Sequence, residues 1–220
     1  MTDRHKTLLL SGGHKGTEAE FGRAAVRWGV PEITYSFAGH KMEWSQDVRV
    51  LSPAELKKGD VSMEIVSQHM GRNYTELEMV RRVIQSMYHV VVNSYQVFAV
   101  GFIQPDKTVM GGTGWGVELA KFFNRPVSVF DQGHGDGAWF TWKDGAWTPD
   151  APQILERPFA ATGTRRLTDA GRAAIQDLFE RSFGPAPRRP LPGPKPAAKP
   201  ASAKKASSKA PAKKTRKTAR

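Results

Sequence analysis

The sequence predicts a Rossmann-like α/β three-layer sandwich. A mostly parallel sheet would carry helices on both faces and a small aromatic β-hairpin insertion, and a disordered basic tail would follow. Three observations predict this. Short apolar runs alternate with amphipathic stretches through residues 7–183, the pattern of parallel strands joined by crossover helices. Two glycine-rich turns, Ser11-Gly12-Gly13-His14-Lys15-Gly16-Thr17 and Gly111-Gly112-Thr113-Gly114-Trp115-Gly116, each follow an apolar run and precede a helical pattern. The excess charge sits at one end. Of 33 Lys and Arg, twelve lie in 185–220, where there is no Asp or Glu, so the other 21 face 21 acidic residues.

The elements follow in order. Thr7–Leu10 is a buried strand, and Glu18–Trp28 is a helix with Phe21, Ala24, Ala25 and Trp28 on one face, stopped by Gly29-Val30-Pro31. Ile33–Ser36 is a second strand. Residues 45–75 are polar and mixed, with a helix start at Ser52-Pro53-Ala54-Glu55. Thr75–Val92 is a long helix whose stripe is Leu77, Val80, Val83, Ile84 and Met87. Gln96–Phe102 is a strand, Val117–Phe123 a short helix, and Val127–Phe130 a strand that ends at Asp131. The aromatic runs Ala138–Trp142 and Ala146–Thr148 flank Lys143-Asp144-Gly145, a strong hairpin signal. Pro158–Ala161 is the last strand, Thr162–Arg166 a loop, and Thr168–Phe183 the last helix.

The organisation is therefore a domain over 1–184 and a tail over 185–220. The tail is built from Ala, Pro, Lys and Ser with Leu191 as its one large apolar residue, so it cannot bury enough surface to order itself. Its texture is similar to linker-histone tails. Spaced lysines on a flexible chain suit non-specific phosphate contacts with DNA or RNA, without base readout. There is no cysteine, which excludes disulfides and thiolate chemistry. No run approaches a membrane span, and Met1–Thr7 lacks an apolar signal core. The expected location is cytoplasmic, with nucleoid association through the tail; a homo-oligomer is compatible with the sequence. The six histidines lack ligand spacing, so no metal site is expected, and the pattern identifies no cofactor.

A strand that turns into a helix through glycines brings free N–H groups to a point where the helix dipole adds positive potential. Two such turns at the carboxyl edge of one sheet predict a nucleotide or nucleotide-derived ligand between them. Ser11, Gly12, Gly13, Gly16 and Thr17 of the first turn and Gly111, Gly112, Thr113 and Gly114 of the second are the candidate ligand-binding residues. Asp131, at a strand end, is placed to accept from ribose hydroxyls or to cap a loop. His14 and Lys15 could meet an anion, and His40 lies at the same edge. Asn93 and Gln96 could read a base edge, with Tyr95 or Trp115 stacked on it. The group Trp139, Trp142 and Trp147 belongs to a packed hairpin.

Leu9-Leu10-Ser11-Gly12-Gly13 with Gly16-Thr17-Glu18 resembles the first turn of the SLOG superfamily, two glycines, a third after two residues, then an acid. That group includes the DNA-processing protein A family, the LONELY GUY phosphoribohydrolases and the predicted molybdenum-cofactor carriers. Gly111-Gly112-Thr113-Gly114-Trp115 resembles its second turn, and the chain looks most similar to phage and bacterial members. Phe159-Ala160-Ala161-Thr162-Gly163-Thr164-Arg165 resembles the strand that usually opens such a domain, which implies a circular permutation placing this strand beside Thr7–Leu10. Arg165 and Arg166 follow a strand-end glycine, where an arginine can clamp a phosphate or pair with a carboxylate such as Glu18; Arg165 matches the family's arginine and is the candidate ligand-binding residue. The phosphoribohydrolases carry a PGGxGTxxE turn with a catalytic glutamate. Here Met110 replaces the proline and Glu118 is only a loose counterpart of the glutamate. Two functions stay open. One is a ligand-binding sensor or DNA-associated accessory protein. The other is a nucleotide N-glycosidic-bond hydrolase or transferase in which Glu18 or Glu118 is catalytic. A nicotinamide oxidoreductase fits poorly, because Val117 occupies the third glycine position of its fingerprint.

Overall fold

Successive residues of the central strands divide between two cores. Leu9, Phe98, Val100, Phe159 and Ala161 pack on one side of the sheet, while Leu10, Val97, Ala99 and Ala160 pack on the other. This two-sided burial is what unbroken apolar strands in a parallel sheet require. In a computed structural model, which describes residues 2–74 and 77–187, eight strands form one sheet. They are β1 Leu8–Ser11, β2 Glu32–Phe37, β3 Val48–Leu51, β4 Gln96–Gly101, β5 Val127–Asp131, β6 Ala138–Lys143, β7 Ala146–Pro149 and β8 Pro158–Gly163, in the order β3-β2-β1-β8-β4-β5-β6-β7. The first six strands in that order run parallel, β6 pairs antiparallel with β5, and β7 pairs antiparallel with β6.

The helices are α1 Thr17–Trp28, α2 Pro53–Leu56, α3 Asp60–His69, α4 Glu78–Val92, α5 Thr113–Phe122 and α6 Asp169–Phe183. Phe21, Ala24 and Ala25 of α1 and Ile175, Leu178 and Phe179 of α6 cover one face. Met63 and Val66 of α3, Ile84 and Val91 of α4, and Val117 and Leu119 of α5 cover the other. The three-layer Rossmann-like α/β architecture is therefore present. Among the described residues no helix is long and apolar enough to cross a membrane.

β8 inserts between β1 and β4, pairing Leu9 with Phe159 on one side and Phe98 with Ala161 on the other. The last strand in sequence thus lies beside the first, as the resemblance implied. α1 leaves β1 on one face and α5 leaves β4 on the opposite face. The chain therefore changes winding direction across β1, β8 and β4, and a crevice opens at their carboxyl ends.

Three boundaries differ from expectation. β3 and α3 lie inside the stretch taken as polar and mixed. Residues 48–50 are exposed along the sheet edge, so Arg49 interrupts any apolar run there, and α3 buries only Met63, Val66 and Ser67. α5 starts at Thr113, inside the glycine turn itself, because Gly112 already has helical dihedrals. The expected aromatic hairpin is present as β6 and β7, and it extends the sheet's edge from β5. Ser52 and Glu55 do form a reciprocal capping box, and Thr168 accepts from the Gly171 N–H at 3.0 Å to start α6. Residues 75 and 76 of the expected long helix, and 188–220 of the expected tail, lie outside the described residues.

Candidate functional site

The first glycine turn is filled by the protein's own carboxylate. Glu18, in the first turn of α1, is 4% exposed, and its Oε2 accepts from the Gly12 N–H at 3.0 Å and the His14 N–H at 3.1 Å. The same oxygen accepts from His14 Nδ1 at 2.9 Å. Gly13 N–H donates to Ser11 Oγ, and Thr17 gives both its N–H and its hydroxyl to the Thr164 carbonyl. The glycines are explained by crowding. A Cβ at Gly12 would meet the His14 ring and the Glu18 carboxylate at 3.0 and 3.1 Å. One at Gly13, where φ is +68°, would lie 2.1 Å from the Trp44 carbonyl oxygen, and one at Gly16, where φ is +88°, 2.6 Å from that of Thr164.

His14 continues into a chain of titratable groups. Its Nε2 lies 3.0 Å from His40 Nε2, and the His40 ring stacks on Phe37 at 4.5 Å. With Nδ1–H given to Glu18, neutral His14 accepts at Nε2 from His40, which leaves His40 Nδ1 buried with no partner among the described residues. The Glu18 charge, joined by its hydrogen bond, raises the His14 pKa against burial and the nearby Arg165. Burial pushes the Glu18 carboxyl up, but His14 and the two backbone donors together hold it below the ordinary carboxylate value. Burial and His14 bring His40 down to about 4. Behind the turn, Glu32 is 2% exposed and accepts from Ser11 Oγ at 2.7 Å and Trp44 Nε1 at 2.8 Å. Burial raises it to about 7, against those two hydrogen bonds.

The second turn is built differently. Its outer side is held by Arg72, whose guanidinium donates to the carbonyls of Val109 and Gly111 and to Gln104 Oε1 and Thr108 Oγ1, at 2.8–3.1 Å. A Cβ at Gly114 would collide with the Val109 carbonyl at 2.2 Å, so this glycine lets α5 approach the preceding strand segment. Its inner side is open. A Cβ at Gly111 or Gly112 would meet nothing within 4 Å, and the N–H groups of Gly111, Gly112 and Thr113 have no acceptor among the described residues.

These amides border a cavity of about 480 Å³ in the crevice. Gly111, Gly112 and Thr113 form one polar wall, and Thr162, Thr164, Arg165 and Arg166 at the end of β8 form another. His14 and Glu18 close the floor; Glu18 Oε1 carries one long contact, 3.4 Å from Thr162 Oγ1. Val83, Ile84 and Met87 of α4 face Phe102, Met110 and Trp115 across the rest. Arg165 also borders a second, shallower cavity of about 470 Å³ with Lys15, Gly16 and Arg172.

The structure thus gathers Glu18, Gly111, Gly112, Thr113 and Arg165 around one space. Ser11, Gly12, Gly13 and Thr17 lie behind it as supports of the Glu18–His14 pair, and Gly16 opens only on the shallower cavity. Four expected residues are elsewhere. Glu118 is paired with Lys121 at 2.8 Å, and that ammonium sits 3.8 Å from the Trp142 ring. A helix of about 3.6 residues per turn carries position 118 round from the cavity face of Thr113 to the hairpin face. Asp131 caps a loop, accepting from the Ile103 and Gly133 N–H groups at 3.2 and 3.0 Å, one strand outward from the crevice. Asn93 and Gln96 are at the opposite edge, where Gln96 bonds the backbone of Gln153 and Leu155. Glu32 was not singled out as functional. An acid at the start of a strand was the available signal for Glu32; Arg72 sits in a polar loop, and the partners that define its role are more than thirty positions away.

No protein-family model matches the sequence, and no curated protein matches it. Among solved structures, the chain is similar to the crystal structure of a proposed molybdenum carrier protein from Syntrophus aciditrophicus SB, at 13% identity over 79% of this chain and 92% of that one, with a TM-score of 0.45.

Proposed function

We propose that the protein binds a nucleotide or nucleotide-derived ligand by its phosphate, as a sensor or a DNA-associated accessory protein. The observation that carries this is the unpartnered amides of Gly111, Gly112 and Thr113 at the start of α5, opening on a cavity that also holds Arg165. Backbone donors with the positive end of a helix dipole favour an anion, and an arginine adds a bidentate clamp. The Glu18 carboxylate faces the same cavity as an acceptor for a ligand hydroxyl. Titration calorimetry of the full chain with AMP tests this. Gly112→Val should weaken binding at least about tenfold, the loss of one good charge-assisted contact. A wild-type protein that binds neither AMP nor inorganic phosphate would overturn the proposal.

One observation favours the hydrolytic alternative. Glu18 Oε2 holds three donors, while Oε1 remains nearly free at the cavity floor. An ionised oxygen there can stabilise positive charge developing on a ribose carbon, or take a proton from water as water's oxygen bonds that carbon and the base leaves with a proton. Release of free base from AMP by the wild type, absent in Glu18→Gln, would select this reading over binding alone.

For the tail we propose sequence-independent contact with DNA or RNA, supported by its twelve Lys/Arg without acidic residues. Deleting 185–220 should abolish nucleic-acid binding and its steep salt dependence; unchanged binding would refute the assignment.

A further inference from the structure

Among the described residues, the non-anionic half of the cavity contains nothing that can read a base. Its walls are Val83, Ile84 and Met87 on α4 and Phe102, Met110 and Trp115 opposite. The one polar side-chain atom among these six is the Trp115 indole nitrogen, a donor only, and every nucleobase offers an acceptor to a lone donor. The backbone nearby is engaged as well. The Phe102 carbonyl accepts from the Met110 N–H at 2.9 Å, and Arg72 holds the carbonyls of Val109 and Gly111. Carboxamides that could have served, Asn93 and Gln96, bond backbone at the other edge of the sheet. Val80 and Met110, which also line the cavity, are both 46% exposed, so this side of it opens to water. A flat ring can enter between these walls and leave its polar edge hydrated.

We infer that this site selects a phosphate-terminated aromatic by its anion and its flat apolar face, not by the identity of a base. The inference rests on the phosphate seat proposed above and adds the class of ligand that fits it. Apolar contact alone discriminates weakly between similar rings, whereas strong selection needs buried hydrogen-bond partners that a wrong ligand leaves unpaired. The apolar walls have none among the described residues to leave unpaired.

The test is titration calorimetry of the full chain with AMP, GMP, CMP, UMP, phenyl phosphate and inorganic phosphate, repeated on Gly112→Val and Met110→Ala. The four nucleotides and phenyl phosphate should fall within about tenfold of one another and bind at least about tenfold more tightly than inorganic phosphate. Met110→Ala, at a half-exposed position that should not disturb folding, should weaken every aromatic ligand several-fold and leave inorganic phosphate unchanged. A preference for one nucleotide beyond tenfold overturns the inference, as does phenyl phosphate binding no better than inorganic phosphate or an unaltered Met110→Ala profile; the phosphate seat survives all three. If no member binds, or if Gly112→Val binds them all as the wild type does, the phosphate seat itself fails and the inference with it.

Discussion

The two glycine turns look alike in sequence and have opposite interiors. In the first, the backbone donors of Gly12 and His14 close on Glu18, six and four residues ahead, and the glycines exist because neighbouring atoms leave no room for a Cβ. In the second, Gly111 and Gly112 face open space and their N–H groups have no acceptor among the described residues. A strand–glycine–helix turn therefore marks a place where donors converge, but the anion they meet can belong to the protein. What separates the turns is the acid that follows the first one. Among the described residues no carboxylate bonds the second turn's amides, and Glu118 is carried round α5 to Lys121.

The largest expected effect breaks the first turn. Gly16 has φ +88°, and a side chain there meets the Thr164 carbonyl at 2.6 Å and that of Arg165 at 2.8 Å. Both contacts are backbone, so neither can move aside without moving the end of β8. Gly16→Val should cost more than about 3 kcal/mol, combining left-handed strain with a steric clash, or prevent soluble expression. Urea unfolding measures it; a midpoint equal to the wild type would mean that the loop gives way.

Glu18 tests whether the first turn is held by its internal anion. Glu18→Ala strips the acceptor from two amides and leaves His14 without its buried partner, at a cost of about 3–5 kcal/mol. The pH dependence identifies the pair. His14, raised, contributes stability that is full below its ordinary 6.5 and is lost as pH rises through its folded value. Glu18, lowered, contributes stability present above its ordinary 4.5 and lost as pH falls through its folded value. The deficit of the variant should thus be greatest between 4.5 and 6.5. A deficit that is flat across pH would assign the loss to packing alone.

Much of the frame was legible because burial on both sheet faces writes itself as apolar runs, as in Val97–Val100 and Val127–Phe130. Even the unusual adjacency of β8 and β1 was readable from Phe159–Arg165. The site was less so, for a physical reason. Sequence shows where glycines permit a tight turn, not which acceptor fills it. Ser11 and Thr17 have the chemistry of ligand contacts, yet their hydroxyls go to Glu32 and the Thr164 carbonyl, partners brought near only by the fold. β3 was missed because only Leu51 of this four-residue edge strand is buried, too little to announce a buried face.

Glu32 gives a smaller effect of opposite sign. Its folded pKa of about 7, against 4.5 ordinarily, means the folded protein holds a proton that the unfolded chain releases. Its stability contribution is full below 4.5 and is lost as pH rises through about 7, by at most about 1.4 kcal/mol per pH unit. His40, lowered to about 4, runs the other way below 6.5, so the difference between wild type and Glu32→Gln is the informative quantity. That difference should move in favour of the variant as pH rises through 7. Parallel stability curves would mean Glu32 is ionised throughout.

The smallest effect sharpens the comparison most. Gly112 has φ −62° and ψ −30°, an ordinary helical conformation, and a Cβ would meet nothing within 4 Å. Gly112→Val is the same substitution as Gly16→Val, made at the matching turn. It should change stability by about 1 kcal/mol or less, the size of a helix-cap effect. The residue there is not required by backbone conformation or by packing, in contrast to Gly16. A near-wild-type unfolding midpoint in this variant, alongside collapse of Gly16→Val, would establish that one turn is closed by the fold and the other is left open. If Gly112→Val instead unfolded the protein as Gly16→Val does, the second turn would be as crowded as the first, and its amides could not be counted as free for a ligand.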